Sequence, residues 1–331
     1  MKSGKTNHLY SEFLVVGAGI SGLMIARQLH DAGRTVRVVE KGRGFGGRMT
    51  TRRMTPNARC DHGAQYFTVR DPRFGAWVEC WQEAGVIREW FRHLEEISDT
   101  PGHPRYVGKN GISDVPKYLA DGLSVVRGER VTKLLFQKNH WTVVVESELR
   151  YACDFLILTA PVPQALELLT TSDVSLPPDV KGKLQTVRYD KGLAVMALLD
   201  GPSGIPGFGG LKISPGPLTW IADNERKGIS RDPAVTLQAS PAFAETHWDS
   251  PDEVRGPLLL ESAKPYLSAN VLQYVCHRWG YAFPVSTFGS EFFHEPELRL
   301  LLAGDGFGGP RVEGAALSGI AAGAHLLENW I

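Results

Sequence analysis

An α/β fold, with a parallel nucleotide-binding sheet interrupted by an inserted α+β module, is what this sequence predicts, on three observations. The first is the stretch Phe13 to Glu40. Phe13-Leu14-Val15-Val16 is an apolar run of the kind a buried parallel strand carries. It breaks at Gly17-Ala18-Gly19-Ile20-Ser21-Gly22, which fits G-x-G-x-x-G. A helical pattern (Leu23, Ile25, Ala26, Leu29) follows and stops at Gly33, and Val36 to Val39 reads as a second strand ending at Glu40. Strand, glycine turn, helix, strand and terminal acid at this spacing form a Rossmann-type dinucleotide fingerprint. The second observation is a change of texture between Pro163 and Phe288. Proline and glycine become frequent there, and short alternating strands appear at Leu193–Leu199, Leu218–Ala222, Val235–Ala239 and Val271–Tyr281. The third is a late buried strand, Leu298 to Ala303, closed by Gly304-Asp305 and followed by a helix from about Glu313 to Trp330.

Each part of the fingerprint has a mechanical role. Gly17 permits the tight turn, Gly19 lets a pyrophosphate touch the backbone, and Gly22 lets helix and strand pack closely. The helix N-terminus at Ile20 and Ser21 supplies N–H groups and partial positive charge to phosphates. Glu40 can accept both hydroxyls of an adenosine ribose and would repel a 2′-phosphate. The next loop, Lys41 to Arg52, holds four glycines and four cations. Gly46 and Gly47 admit a second pass of backbone near the pyrophosphate, with Arg48 placed to pair a phosphate oxygen; the plainer alternative is a solvated basic loop.

Composition narrows the partners. The 331 residues suffice for two domains, and 36 Lys+Arg against 36 Asp+Glu give a formal charge of zero. That argues against nucleic acid or an anionic membrane as main partner. Cys60, Cys80, Cys153 and Cys276 are scattered without a C-x-x-C, which argues against a disulfide framework or a metal site and suits a reducing, cytoplasmic location. The N-terminal MKSGKTNHLYSE is polar, and the apolar stretch after it reads as a strand and glycine turn, so no signal peptide and no membrane span are expected.

The remaining elements follow in order. Asp71-Pro72 caps a helix with Phe74, Trp77, Val78 and Trp81 inward, as core, ending near Gly85. Ser113 caps a second helix through Leu119. Leu123–Arg127, Val131–Gln137 and Trp141–Glu146 read as strands with a turn at Lys138-Asn139, and Asp154–Ala160 as a buried strand stopped by Pro161. A helix spans Glu253 to Tyr266, disturbed at Gly256-Pro257. The terminal helix is rich in Ala and Gly, which implies close approach to another backbone or to a flat ring. Gly304 to Gly309 also fits G-x-G-x-x-G, but the chain ends before a second strand and acid could follow, so no separate nicotinamide-nucleotide domain is expected.

Several blocks together resemble a known family. The glycine-arginine sequel to the fingerprint is similar to FAD-dependent, amine-oxidase-like flavoproteins. Asp61-His62-Gly63-Ala64-Gln65-Tyr66-Phe67-Thr68 after Gly46-Gly47-Arg48-Met49-Thr50-Thr51 resembles the renalase group, as do Arg105 to Ser113, His277 to Ala282, Gly304 to Phe307 and Arg311 to Gly319. The resemblance implies an FAD-binding domain of Rossmann type with an inserted α+β substrate domain, as in p-hydroxybenzoate hydroxylase and the amine oxidases. We expect residues 10–68, 109–162 and 290–331 in the FAD-binding domain, and 69–108 and 163–289 in the substrate domain.

By the same resemblance FAD would be held by Gly17, Gly19, Ile20, Ser21, Gly22, Glu40, Lys41, Gly47, Arg48, Met49, Gln65, Tyr66, Phe67, Val131 beside the adenine, Asp305 on the ribityl chain, and Val312, Glu313, Ala315 and Ala316 at a helix N-terminus aimed at the pyrimidine end of the flavin. No cysteine lies near that last segment, so no covalent flavin link is expected there. His277, Trp279 and Tyr281 share one strand face. A packed sheet face is the plainer reading of the histidine, and the resemblance adds a catalytic pocket, with Gln65, Tyr66, Trp220 and Asn224 as further walls. Gly280 departs from the family, which often carries a larger residue.

The activity so implied is oxidation of 2- and 6-dihydro isomers of NAD(P)H to NAD(P)+, with hydride transfer to flavin N5 and O2 reoxidation to hydrogen peroxide. An oxidase of a small amine is the alternative, although the sequence shows no identifiable lysine for a flavin-edge water and no recognisable aromatic pair. A non-catalytic protein on the same fold is a further alternative, against which the intact glycines, Glu40, Arg48 and Asp305 speak.

Overall fold

A computed structural model of the chain describes residues 9–93 and 102–330. Residues 1–8 of the polar N-terminal stretch lie outside the described residues. In chain order come β1 (Leu9–Val16), α1 (Ile20–Asp31), β2 (Val36–Glu40), β3 (Thr51–Arg53), β4 (Arg59–Asp61), α2 (Pro72–Glu83), β5 (Ile87–Phe91) and β6 (Arg105–Gly108). Next are α3 (Asp114–Ala120), β7 (Ser124–Arg127), β8 (Val131–Gln137), β9 (His140–Val145), β10 (Arg150–Leu158), α4 (Val162–Thr171) and α5 (Pro178–Gln185). Then follow β11 (Tyr189–Leu199), β12 (Gly210–Lys212), β13 (Leu218–Asp223), β14 (Ala234–Ala239), α6 (Pro241–Thr246) and α7 (Asp252–Ala263). The chain closes with β15 (Val271–Pro284), β16 (Phe292–Glu295), β17 (Leu300–Ala303), α8 (Asp305–Gly308) and α9 (Arg311–Asn329).

The chain forms two compact units. One comprises Met1–Gly47, Pro116–Arg188 and Pro284–Ile331; the other comprises Arg48–Val115 and Tyr189–Phe283. The architecture is the one the sequence implies, a Rossmann-type α/β domain interrupted by an α+β domain.

The first unit is built on a sheet of order β16-β17-β10-β1-β2-β7, with β9 antiparallel on β10 and β8 on β9. β17, β10, β1, β2 and β7 run parallel. Residues Phe13 to Val16 pair with Phe155–Leu158 on one side and Val36–Val39 on the other, so β1 is central. That explains the unbroken apolar run, since Phe13, Leu14 and Val15 are at most 1% exposed. Lys138 and Asn139, at φ 51° and 62°, make the tight turn between β8 and β9. The terminal helix approaches a backbone: Gly319 of α9 lies on Ser21 of α1, Gly323 on the Gln28 amide, and Gln28 Nε2 donates to Gly319 O at 3.2 Å.

The second unit centres on an antiparallel sheet of order β12-β13-β14-β11-β15. Alternation divides its faces. Val195, Ala197, Leu199, Val235 and Leu237 pack with Leu259 and Ala263 of α7, while Met196 and Ala234 pack on Ala58 and Cys60 beside β4.

The expected boundaries shift at several points. Residues 48–68 and 109–115, expected with the cofactor domain, group with the second unit, because Cys60 is buried against Met196, Thr236 Oγ1 donates to Asp61 O at 2.9 Å and Ile112 N donates to Asp61 Oδ1 at 2.9 Å. Residues 163–188, expected in the substrate domain, form α4 and α5 of the first unit, where Leu134 N donates to Ser172 Oγ at 2.9 Å. Residues 284–289 also group with the first unit, where Val285 N donates to Arg188 O at 2.9 Å.

Candidate active site

In the first unit the glycine turn is held from several sides. Gly17 adopts φ 110°, a conformation open to glycine. Its N donates to Val39 O at 2.8 Å, and Thr159 Oγ1 donates to Val16 O and Gly17 O at 3.0 and 3.2 Å. Gly19 is different: among the described residues, nothing beyond its chain neighbours lies within 4 Å of the position a Cβ would take. α1 begins at Ile20 with no side-chain cap, so its first N–H groups have no partner inside the helix. Ser21 Oγ is buried without a hydrogen-bond partner among the described residues.

Glu40 does more than end its strand. Its Oε2 accepts from Ala18 N at 2.7 Å and its Oε1 from Gly42 N at 2.6 Å, so one carboxylate pins both the turn and the loop after β2. That loop returns beside the turn, as read from Gly46 and Gly47: Gly46 N donates to Ala18 O at 2.8 Å, and Gly19 and Gly46 form a parallel bridge. Lys41 Nζ donates to Gln164 Oε1 at 3.3 Å; burial holds its ammonium below the ordinary lysine range, and Glu40 opposes that shift.

At the other end of the chain Asp305 is buried at the start of α8, and Gly304 N donates to Ser318 Oγ at 2.8 Å. Val312 and Glu313 are buried in the first turn of α9, Ala316 is buried and Ala315 half-buried, and Val131 is half-buried at the start of β8. An open backbone at Gly19, an uncapped helix and an unpartnered Ser21 hydroxyl fit a dinucleotide cofactor.

The second unit holds the remaining sequence candidates. Arg48 Nη1 donates to Tyr281 O and Ala282 O at 3.0 and 3.3 Å, and its guanidinium stands 6.0 Å from the Tyr189 ring centroid. Met49 is buried. Phe67 lies among Phe74, Trp81 and Tyr106, with ring centroids 5.8, 6.2 and 5.7 Å away. Tyr66 belongs to a separate cluster with Trp90, Phe91 and Trp220, at 6.4, 5.5 and 5.7 Å. Asn224 is fully buried, with Nδ2 donating to Thr236 Oγ1 at 3.0 Å and Oδ1 unpartnered among the described residues. Gln65 Nε2 donates to Asp61 O at 2.7 Å. Tyr281 sets its ring edge against Tyr189 at 5.6 Å.

His277 and Trp279 converge with a residue the sequence reading passed over. His62 occupies the variable position of the Asp61 to Thr68 block. Its ring meets His277 edge-on at 4.7 Å and stacks with Trp279 at 5.6 Å, and Trp279 Nε1 donates to His62 O at 2.9 Å. Its place between an acid and a glycine was the only available signal. Lys227, three residues after the pocket candidate Asn224, was passed over as well.

Burial, with His277 second, pushes the His62 imidazole down to about 3, and burial followed by Arg52 pushes His277 below the ordinary histidine range. Both rings are therefore neutral at neutral pH. The folded state binds a proton on His62 less readily than the unfolded chain. Its stabilising contribution is thus complete above the ordinary value of 6.5 and is lost as pH falls from there toward about 3. Unfolding free energy is expected to drop by up to about 1.4 kcal/mol per pH unit across that window. Denaturant titrations of wild type and His62→Gln at several pH values measure this; equal slopes in the two proteins would place the acid lability elsewhere.

Known proteins bear out the architecture. The profile of NAD(P)-binding Rossmann-like domains matches residues 15–83, and that of flavin-containing amine oxidoreductases matches residues 83–327. Renalase of Mus musculus is 27% identical over 97% of this chain and all of its own length. A crystal structure named for a protoporphyrinogen oxidase of Exiguobacterium superposes with TM-score 0.73 at 12% identity, covering 99% of this chain and 100% of its own. A putrescine oxidase triple mutant redesigned in cofactor binding does so with TM-score 0.72 at 15% identity, covering 97% and 99%. Among the described residues no helix is long and apolar enough to cross a membrane. A match over most of the chain places this protein in the flavin-containing amine oxidoreductase family, as an oxidoreductase that works with a flavin.

Proposed function

We propose that the flavin is FAD and that the enzyme is an oxidase of renalase type, taking 2- and 6-dihydro isomers of NAD(P)H to NAD(P)+. The observation that carries the reading is the likeness to renalase over 97% of the chain, and the open backbone at Gly19 and the Glu40 carboxylate on Ala18 N in the first unit support it. Gly17 to Gly22, Glu40, Gly47 and the α9 N-terminus would hold the cofactor, and Asp305 its ribityl chain. The chemistry FAD supplies when bound is hydride acceptance at N5, with the electrons later passed to O2 as hydrogen peroxide.

The chain's own work is then alignment and exclusion of water. Hydride loss from a dihydropyridine requires no proton abstraction from carbon, so the site needs no general base. Neutral His62 and His277 and the ring of Trp279 suit that demand: they offer flat surfaces and hydrogen-bonding edges without a charge that would oppose a developing pyridinium. The family profile keeps oxidation of a small amine as the second reading. A cytoplasmic location belongs to the first reading, and the four cysteines are all free thiols.

Anaerobic mixing tests the choice. Dihydro isomers of NAD(P) are expected to bleach the visible flavin absorbance rapidly while small amines leave it unchanged; the reverse result would put the amine reading first. Site assignments separate in a second measurement. Glu40→Ala is expected to weaken FAD retention by about 10- to 100-fold, since it removes two charge-assisted bonds to backbone N–H groups. His277→Ala is expected to leave retention within about twofold and to slow turnover. Equal cofactor loss in both variants, read by ultrafiltration, would assign His277 to the core.

A further inference from the structure

Lys227 is a charged group for which the cofactor and substrate readings have no use. It stands in the turn between β13 and β14, which Asp223 organises. Asp223 Oδ1 accepts from Glu225 N and Arg226 N, both at 2.9 Å, its Oδ2 accepts from Ser203 Oγ at 2.5 Å, and its carbonyl accepts from Lys227 N at 2.9 Å. The lysine side chain runs inward and is 0% exposed. Its Nζ meets Asp61 Oδ2 at 2.7 Å, donates to Gln65 Oε1 at 3.4 Å and stands 4.8 Å from the Trp90 ring centroid.

Asp61 opens the segment that carries His62, Gln65 and Tyr66. Its Oδ1 accepts from Thr51 Oγ1 at 2.6 Å and Ile112 N at 2.9 Å, and its carbonyl accepts from Gln65 Nε2 and Thr236 Oγ1 at 2.7 and 2.9 Å. The ammonium also decides which way the Gln65 amide points: oxygen toward Lys227, nitrogen toward the carbonyls of Asp61 and Gly63. Gly63 passes so close to Arg48 O that no larger residue fits there. An apolar residue of similar length would fill the same space without choosing the amide orientation or the carboxylate rotamer.

We propose that Lys227 is a positioning residue: by gripping Asp61 and Gln65 together it sets the course of residues 61–67, and through them the place of His62 and Tyr66 on the face that binds substrate. This rests on the reading of that face given above, so the test includes a readout independent of any substrate.

Two variants of the flavin-loaded protein serve. Asp61→Asn/Lys227→Met removes both charges, so no lone carboxylate is left buried; Lys227→Arg keeps the charge but brings a larger, planar head. The substrate-independent readout is the His62 imidazole titration by NMR. The groups facing that ring are His277, Arg52 and the Cys60 carbonyl, while Lys227 faces Asp61, Cys60 and Arg88. In wild type His62 is expected to stay neutral well below pH 6.5. In a variant that folds and keeps its flavin, His62 is expected to begin titrating near its ordinary value, and KM for the dihydro isomers to rise about tenfold or more. A folded variant with wild-type His62 behaviour would overturn the proposal and leave Lys227 a strut. Failure of both variants to fold would also reject it. If no dihydro isomer reduces wild-type flavin, the substrate reading falls, and the His62 titration still decides the role of Lys227.

Discussion

Replacing Lys227 alone by methionine is expected to lower the unfolding free energy by about 3–5 kcal/mol. Both members of the Lys227–Asp61 pair are 0% exposed, so the substitution leaves a carboxylate oxygen in the interior without its counter-charge. Methionine fills nearly the same volume, which keeps any cavity contribution small. The loss is therefore electrostatic, with Asp61 as its source. Burial holds the Lys227 ammonium below the ordinary lysine range and Asp61 opposes that shift, so the two groups depend on each other. An exposed pair supplies the control. Lys264 and Glu261 are 71% and 67% exposed, and Lys264→Met is expected to change stability by less than about 0.5 kcal/mol. Urea melts of the two variants measure the contrast. A Lys227→Met protein within about 1 kcal/mol of wild type would mean that Asp61 sheds its charge at little cost.

The second large effect separates two glycines of one motif. Gly22→Ala is expected to cost about 3 kcal/mol or more, at the upper end for overpacking, because its Cβ would fall on the Gly17 carbonyl oxygen and stand 2.8 Å from Thr159 Oγ1 and 3.1 Å from Val15 Cγ1. All three neighbours are fixed by strand pairing or backbone bonds, so none can yield cheaply. Gly19→Ala is expected to behave in the opposite way. Gly19 has extended backbone, φ −73° and ψ 174°, and among the described residues nothing beyond its chain neighbours lies within 4 Å of the new methyl group, so the apoprotein should melt within about 0.5 kcal/mol of wild type. Flavin affinity is expected to fall roughly 10- to 100-fold, since the methyl would occupy the space a pyrophosphate needs. Calorimetry of apoprotein and flavin titration give the two quantities. Unchanged flavin affinity in Gly19→Ala would show that the pyrophosphate lies elsewhere.

These two experiments mark where local pattern ends. Gly17, Gly19, Gly22 and Glu40 were legible because their spacing is set within one strand-turn-helix-strand unit, although Thr159, far along the chain, also packs on Gly17 and Gly22. His62 and Lys227 were not. His62 acquires its character from His277 and Trp279, more than 200 positions away, and Lys227 from Asp61, 166 positions away. Nothing local to either residue announces those partners. The small residues of α9 were read correctly as a sign of close approach, but whether they meet a backbone or a ring required the packing of Gly319 on Ser21.

Sequence by itself determined the parallel nucleotide sheet, the glycine turn after its first strand and the antiparallel texture of the inserted module. Those properties follow from periodicity, glycine placement and turn chemistry, which act over a few residues. Tertiary structure alone decided that residues 48–68 join the second unit, that Glu40 clamps the turn it faces, and that Lys227 forms a buried ion pair with Asp61, next to His62 in the chain. Those outcomes depend on which distant groups share a buried space, and burial is what turns a lysine in a polar turn into half of an obligate pair.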